Sequence, residues 1–249
     1  LLSWDMNLNP GPSHAVSGDI WGSFQKIGLH FLHLNVNSLF PKIDEIRYIL
    51  EIAKPAVFGI TESKLDDSIL NSEISITGYD ILRNDRNRKG GGVACYVRKD
   101  ICYSLRNLFP DNIENIFVEI MLPKTKPFCV GIFYRPPNQY SFLDDITTGF
   151  SKLSQETRDF FILGDININI LINGKMIFEN NKNSLSSNAP LSTILIKYRE
   201  FCSMSNLTQP MKSATRITSN SSSLIDHILT NAEYKISSFA IIDTSQSDH

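Results

Sequence analysis

Apolar residues along this chain follow two rhythms. In PKIDEIRYILEIA (41–53) they recur at 43, 46, 50 and 53, one face of a helix that opens on Pro41 and stops before Lys54-Pro55. FLDDITTGFSKL (142–153) predicts a second helix, and the stretch around 190–206, with Ile194, Tyr198, Phe201 and Cys202 on one side, a third. Short apolar runs without that spacing predict strands at 29–35, 56–60, 92–97, 116–122, 128–134 and 159–164, with 116–122 and 128–134 forming a hairpin. Shorter strands are expected near 214–218, 224–229 and 238–243. The Asn- and Ser-rich stretch 173–189 reads as a mobile insertion. Residues 1–27, rich in Gly, Pro, Ser and Asn, read as a flexible tail before one domain at 28–249. Helices and strands alternate early, and strands cluster in the middle and at the end. The pattern predicts an α/β chain with a mixed sheet, or a pair of sheets, and helices outside.

Composition narrows the class. The 249 residues are 42% hydrophobic, enough for a sizeable core. No uncharged apolar run reaches the roughly 18 residues of a membrane span, so no membrane partner is expected. The apolar pair Leu1-Leu2 is too short for a signal peptide, and a chain that starts without Met and stops on His249 reads as a piece of a longer polypeptide. The four cysteines are scattered with no CxxC pair, which excludes a zinc or thioredoxin-like motif and fits an intracellular, reducing compartment. Net charge is −2, yet residues 83–99 hold six basic residues against one acid, giving +5 there and −7 elsewhere. That segment reads either as a solvated loop leading into a strand or as a local attractor for a polyanion.

Three apolar strands end in polar groups: Asn35, with Asn37 two residues on; Glu62; and Asp165 with Asn167. Each alone reads as a turn residue. Together they suggest a site beyond the carboxyl ends of strands, where ligands bind in layered α/β folds. Carboxylates with amides suit a hard cation such as Mg²⁺ and do not suit zinc. SLIDHILTN (223–231) and QSDH (246–249) add carboxylates and imidazoles that could pair. His227 reads more simply as a strand residue beside a turn.

The segments LNVNSL, ITES, GGGVACYV, IFYRPPN, ILGDININ, LIDHILTN and SDH occur in the order of the endonuclease/exonuclease/phosphatase superfamily. The chain resembles, more narrowly, the apurinic-endonuclease-like domain of non-LTR (LINE-type) retrotransposons, over about 29–249. DMNLNPGP (5–12) is similar to a ribosome-skipping peptide, although Asn7 stands where that family usually has Glu, and a turn is the plainer reading. The resemblance implies a four-layered α/β sandwich of two packed mixed sheets flanked by helices. It implies Mg²⁺-dependent nicking of double-stranded DNA in the nucleus, with Mn²⁺ as an alternative ion, leaving a 3′-hydroxyl that primes reverse transcription. A reverse transcriptase would lie downstream in the parent polypeptide, and the isolated domain would be monomeric.

By the same resemblance, Glu62 would bind the metal, with Asp248 on the metal side. Asn37 stands where repair endonucleases commonly have Asp, leaving fewer charges on the ion. Asp165 would handle the proton of the water or leaving group. Asn167, facing the same way along an extended chain, would hold the phosphate. Asn35 would position Asp165, Tyr134 would hydrogen-bond the phosphate, and His249, oriented by Asp226, would contact it. Arg135, then Arg86, Arg88, Lys89 and Arg216, are candidate phosphate contacts, which position DNA without reading sequence. The acidic balance predicts weak, salt-sensitive binding. Competing readings are a phosphatase or phosphodiesterase of the same fold, and an inactive nucleic-acid-binding domain.

Overall fold

In this computed structural model the described residues are 2–6, 28–156, 158–172, 175–177 and 192–242, with 2–6 and 175 described as backbone only. In chain order the elements are β1 (Leu2–Met6), β2 (Leu29–Asn35), α1 (Ile43–Ala53), β3 (Val57–Thr61), β4 (Tyr79–Asn84), β5 (Val93–Arg98), β6 (Cys102–Leu105), β7 (Glu114–Met121), β8 (Phe128–Tyr134), α2 (Phe142–Gln155), β9 (Phe160–Asp165), β10 (Leu171–Ile172), β11 (Lys175–Met176), α3 (Thr193–Met204), β12 (Arg216–Ile217), β13 (Ser222–Ser223), β14 (Asp226–Thr230) and β15 (Ile236–Ile241). Two sheets dominate: six strands in the order β15-β1-β2-β3-β5-β4, and five in the order β14-β9-β8-β7-β6. Both are mixed, because β2–β3 and β8–β9 are parallel while their neighbours are antiparallel.

Strand periodicity decides what each face touches. On β2, Leu32 and Leu34 turn toward α1 and pack with Ile46, Leu50, Phe58 and Ile60. Phe31 turns the other way, and its ring meets Phe128 of the second sheet edge-on at 6.3 Å. The outer face of the second sheet is covered by α2 and α3, where Phe150 lies 5.4 Å from Phe160 and 5.3 Å from Phe201. Each fully buried Phe contributes about 1.5–3 kcal/mol over exposure. The layers therefore run helix, sheet, sheet, helices, the four-layered sandwich expected.

Two kinds of element differ from expectation. Residues 2–6 form β1, which pairs antiparallel with β2 on one side and β15 on the other. The flexible reading of the opening residues therefore fails there, because two open sheet edges give this backbone partners that local composition does not show. Residues 7–12 of the skipping-like peptide, and 173, 174 and 178–189 of the expected insertion, lie outside the described residues, while 175 and 176 pair with β10 as β11, against the mobile reading there. The second kind is β4 and β6, each at an edge of its sheet. An edge strand buries less, so YDILRN and CYSL lack the apolar runs that mark the central strands.

Candidate active site

The two sheets present the same unit twice. Strand, helix and parallel strand run as β2-α1-β3 in one and β8-α2-β9 in the other, with Asn35 opposite Thr61 and Tyr134 opposite Asp165 at the carboxyl ends. Asn35 continues the Phe31 face of β2, and Asp165 ends β9, so both point between the sheets. The Asn35 amide donates to Asp165 Oδ2 at 2.8 Å and to Glu62 Oε1 at 3.3 Å. Tyr134 Oη donates to the same Glu62 oxygen at 3.3 Å. Strict alternation after Thr61 would send Glu62 toward α1. Its left-handed backbone, φ 51°, breaks the pleat, and the carboxylate is found with Asn35 and Tyr134 instead. Three residues singled out from strand ends thus meet in one place with Tyr134, singled out by the resemblance.

The two carboxylates sit in different surroundings. Asp165 is 1% exposed and accepts from Asn35 and from the Asn167 backbone N–H at 3.1 Å. The Glu62 side chain is 24% exposed, and Lys64 Nζ stands 3.6 Å from its Oε2. Tyr134 is held above its ordinary pKa by burial, reinforced by the Glu62 and Asp165 charges, so it remains a protonated donor. Gly164 is required by a close approach, since a Cβ there would lie 1.9 Å from the Phe133 carbonyl oxygen.

Several expected positions differ. Asn167 has φ 51°, so the chain is no longer extended there, and its amide donates to the Arg135 carbonyl at 2.9 Å rather than facing as Asp165 does. Asn37 is exposed, and its side-chain oxygen accepts from Lys64. Arg135 is 2% exposed, with donors spent on the carbonyls of Gln139, Ile166, Asn167 and Pro137. It locks the YRPPN loop to the GDIN loop and offers no outward fork for a phosphate. Of the basic segment, Arg83, Arg86 and Arg98 are paired with Asp85, Glu114 and Asp100. Arg88 and Lys89 are exposed, with Arg88 over the Phe40 ring at 5.8 Å, and Arg216 is half-buried in the β12–β13 hairpin.

Asp226 opposes Asp165 across β14–β9 and lies 3.9 Å from His33 Nδ1. Asp248 and His249 lie outside the described residues. His227 is fully buried. Its Nε2 faces the carbonyls of Ile168 and Leu224, which only accept, so Nε2 carries the proton and Nδ1 accepts from Tyr198 at 2.9 Å. Burial pulls its pKa down to about 4, a neutral structural histidine. Sequence reading missed His33, Lys64 and Glu114. His33 shares the Asn35 face of β2 and Lys64 follows Glu62 by two residues, signals available from spacing alone.

Fold and site together define a hydrolase of the nuclease and phosphatase type. The chain belongs to the Endonuclease/Exonuclease/phosphatase family, whose match spans residues 32–249. Among solved structures it is similar to the AP endonuclease LMAP from Leishmania major (TM-score 0.59, 14% identity, 81% of this chain and 78% of that one). It is also similar to the endonuclease domain of TRAS1, a telomere-specific non-LTR retrotransposon (TM-score 0.56, 12% identity, 81% and 85%). A 3'-5' exonuclease from Neisseria meningitidis aligns as well (TM-score 0.56, 17% identity, 82% and 86%). A search among curated proteins by sequence finds no match.

Proposed function

We propose that this domain is a divalent-metal-dependent DNA endonuclease of a LINE-type retrotransposon, which nicks double-stranded chromosomal DNA to leave a 3′-hydroxyl for reverse transcription by a downstream domain. The observation that carries the reading is the junction of Glu62, Asn35, Tyr134 and Asp165 at the carboxyl ends of the parallel strand pairs of both sheets. The donor set fits a hard cation. Glu62 is a partly open carboxylate that accepts from the Asn35 amide N–H and the Tyr134 hydroxyl, and a carboxylate open on one side suits Mg²⁺ keeping most of its waters rather than zinc, which takes Cys or several His. Mn²⁺ fits the same donors, and Asp248 is the further candidate ligand.

In this reading Glu62 holds the ion, which when bound offsets the charge growing on the phosphate oxygens. Asp165, dry and fixed by Asn35, exchanges a proton with the attacking water or the leaving oxygen. Tyr134 donates toward the phosphate, and the Asn167 loop shapes the floor beside it. Asp226 orients His249, which contacts the phosphate. Exposed Arg88 and Lys89 are the remaining strong phosphate contacts, with Arg216 on the hairpin; Arg135 no longer serves. The test is supercoiled plasmid with Mg²⁺ or EDTA. Nicking with Mg²⁺, spared by EDTA and lost in Asp165→Ala, is expected. Intact plasmid together with rapid phosphate release from small phosphomonoesters would favour the phosphatase reading, and duplex binding without turnover the inactive one.

A further inference from the structure

We infer that Arg86 is a positioning residue that holds the Tyr134 ring in place, rather than a grip on a DNA phosphate; the inference rests on the nuclease reading above. Arg86 lies in the connection from β4 to β5. Its Nε donates to the Gly90 carbonyl at 2.8 Å and its Nη1 to Glu114 Oε1 at 3.0 Å. The second oxygen of Glu114 accepts from the Gly92 backbone N–H. Glu114 opposes Tyr134 in the β7–β8 register, so the anchor grows from the strand beside the ring it serves. The guanidinium carbon lies over the Tyr134 ring, 5.7 Å from its centroid.

The glycines in GGGVACYV belong to this cradle. Gly91 and Gly92 have φ 68° and 85°, and a Cβ on Gly91 would lie 2.2 Å from the Arg86 guanidinium carbon. Backbone therefore lies against the guanidinium, while Tyr134 packs on it as a cation–π partner. Tyr134 is also the hydroxyl that donates to Glu62. The chain of contact runs Gly91, Arg86, Tyr134, Glu62, and its far end is the candidate active site. A bidentate phosphate contact needs a free fork, and two of the three guanidinium nitrogens of the exposed Arg86 side chain are already bonded to Gly90 and Glu114. Lysine keeps the charge but has neither the plane nor the fork, so it cannot replace this arginine.

The experiment compares wild type, Arg86→Lys and Glu114→Gln. Arg86→Lys should lower kcat for plasmid nicking about tenfold with KM within about twofold, since ring placement and not DNA capture is lost. The slope of log Kd against log salt for duplex binding should match wild type. Glu114→Gln, which keeps one acceptor, should fall between and serves if Arg86→Lys does not fold. A readout independent of turnover is the ¹⁹F line of Tyr134 in protein labelled with 3-fluorotyrosine, assigned by its loss in Tyr134→Phe. It should move in Arg86→Lys. Unchanged kcat with a salt slope smaller by about one would make Arg86 a phosphate contact and overturn the inference, as would an unmoved fluorine line. If wild type fails to nick, the nuclease reading falls alone, and the fluorine line still decides whether Arg86 holds Tyr134.

Discussion

The site is made of two halves with the same construction and different environments. Each parallel strand pair delivers one carboxylate near its carboxyl end, Glu62 after β3 and Asp165 at the end of β9. Asp165 is the last residue of its strand and is 1% exposed, whereas Glu62 lies past its strand on a left-handed residue, with a side chain 24% exposed and a lysine beside it. A buried carboxylate fixed by amide donors is held in one orientation for proton exchange. One that is open on one side can share a cation with water. One left-handed backbone position at Glu62 separates these two chemistries.

The strongest way to break the comparison is to remove each carboxylate and ask for different losses. Asp165→Ala should lower nicking by about 10³-fold, within the usual range for a general acid–base group. Glu62→Gln should lower it about 10²-fold at saturating Mg²⁺. A second measurement separates the halves: the rise in Tm on adding Mn²⁺ should vanish in Glu62→Gln and persist in Asp165→Ala. Equal loss of that rise in both variants would mean that the two carboxylates share one role.

The dry half also carries a pH signature. His227 is buried neutral behind Asp165, with its pKa pulled down to about 4 from an unfolded value of 6.5. As pH falls through 6.5 the unfolded chain takes up a proton that the folded one refuses, so the His227 contribution is intact above 6.5 and is lost on the way to 4. The size is about 3 kcal/mol. Urea midpoints at pH 7.5 and 4.5 check it. Carboxylates titrate in the same window, so the decisive quantity is the difference from His227→Gln, whose stability should fall less with acid. Parallel curves would show that the imidazole is protonated in the fold.

How much of this could be read from sequence follows from where each signal is stored. Asn35, Tyr134 and Asp165 end strong apolar runs, and their meeting needs only parallel pairing and alternation, whereas Glu62 joins them through a left-handed backbone that its sequence does not show. Arg135 misled because an arginine beside two prolines reads as surface, while its burial depends on carbonyls from the GDIN loop, 31 and 32 residues away in sequence. Asn167 misled because a left-handed residue cannot be inferred from an extended template. The basic run at 83–99 reads as a solvated loop or a polyanion attractor, and three of its six cations are paired, two of them with acids two residues away. β1 escaped because its stability comes from partners on both sides rather than from its own composition.

Tyr134 joins the halves, since it grows from the second sheet and donates to the carboxylate of the first. The bond is 3.3 Å long, a modest one, so Tyr134→Phe should lower kcat about tenfold and leave Mn²⁺ affinity nearly unchanged. A large loss of ion affinity would instead make the phenol part of the cation site.

The smallest expected effect has the opposite sign. Lys64 faces Glu62 Oε2 at 3.6 Å and is hydrogen-bonded to Asn37, a neutral partner, so Glu62 is the carboxylate that its charge faces. Any cation held by Glu62 meets this ammonium as a like charge. Lys64→Met should therefore tighten Mn²⁺ binding by about threefold, the discount from a bare Coulomb estimate reflecting a pair about one-fifth exposed to screening solvent. Asn37→Asp should act in the same direction, because the new carboxylate draws Lys64 away and adds charge of its own. Titration calorimetry with Mn²⁺ on the DNA-free domain measures both. Weaker binding in Lys64→Met would mean that the lysine orders Glu62 for the ion rather than competing with it, and the open half would then be as preorganised as the dry one.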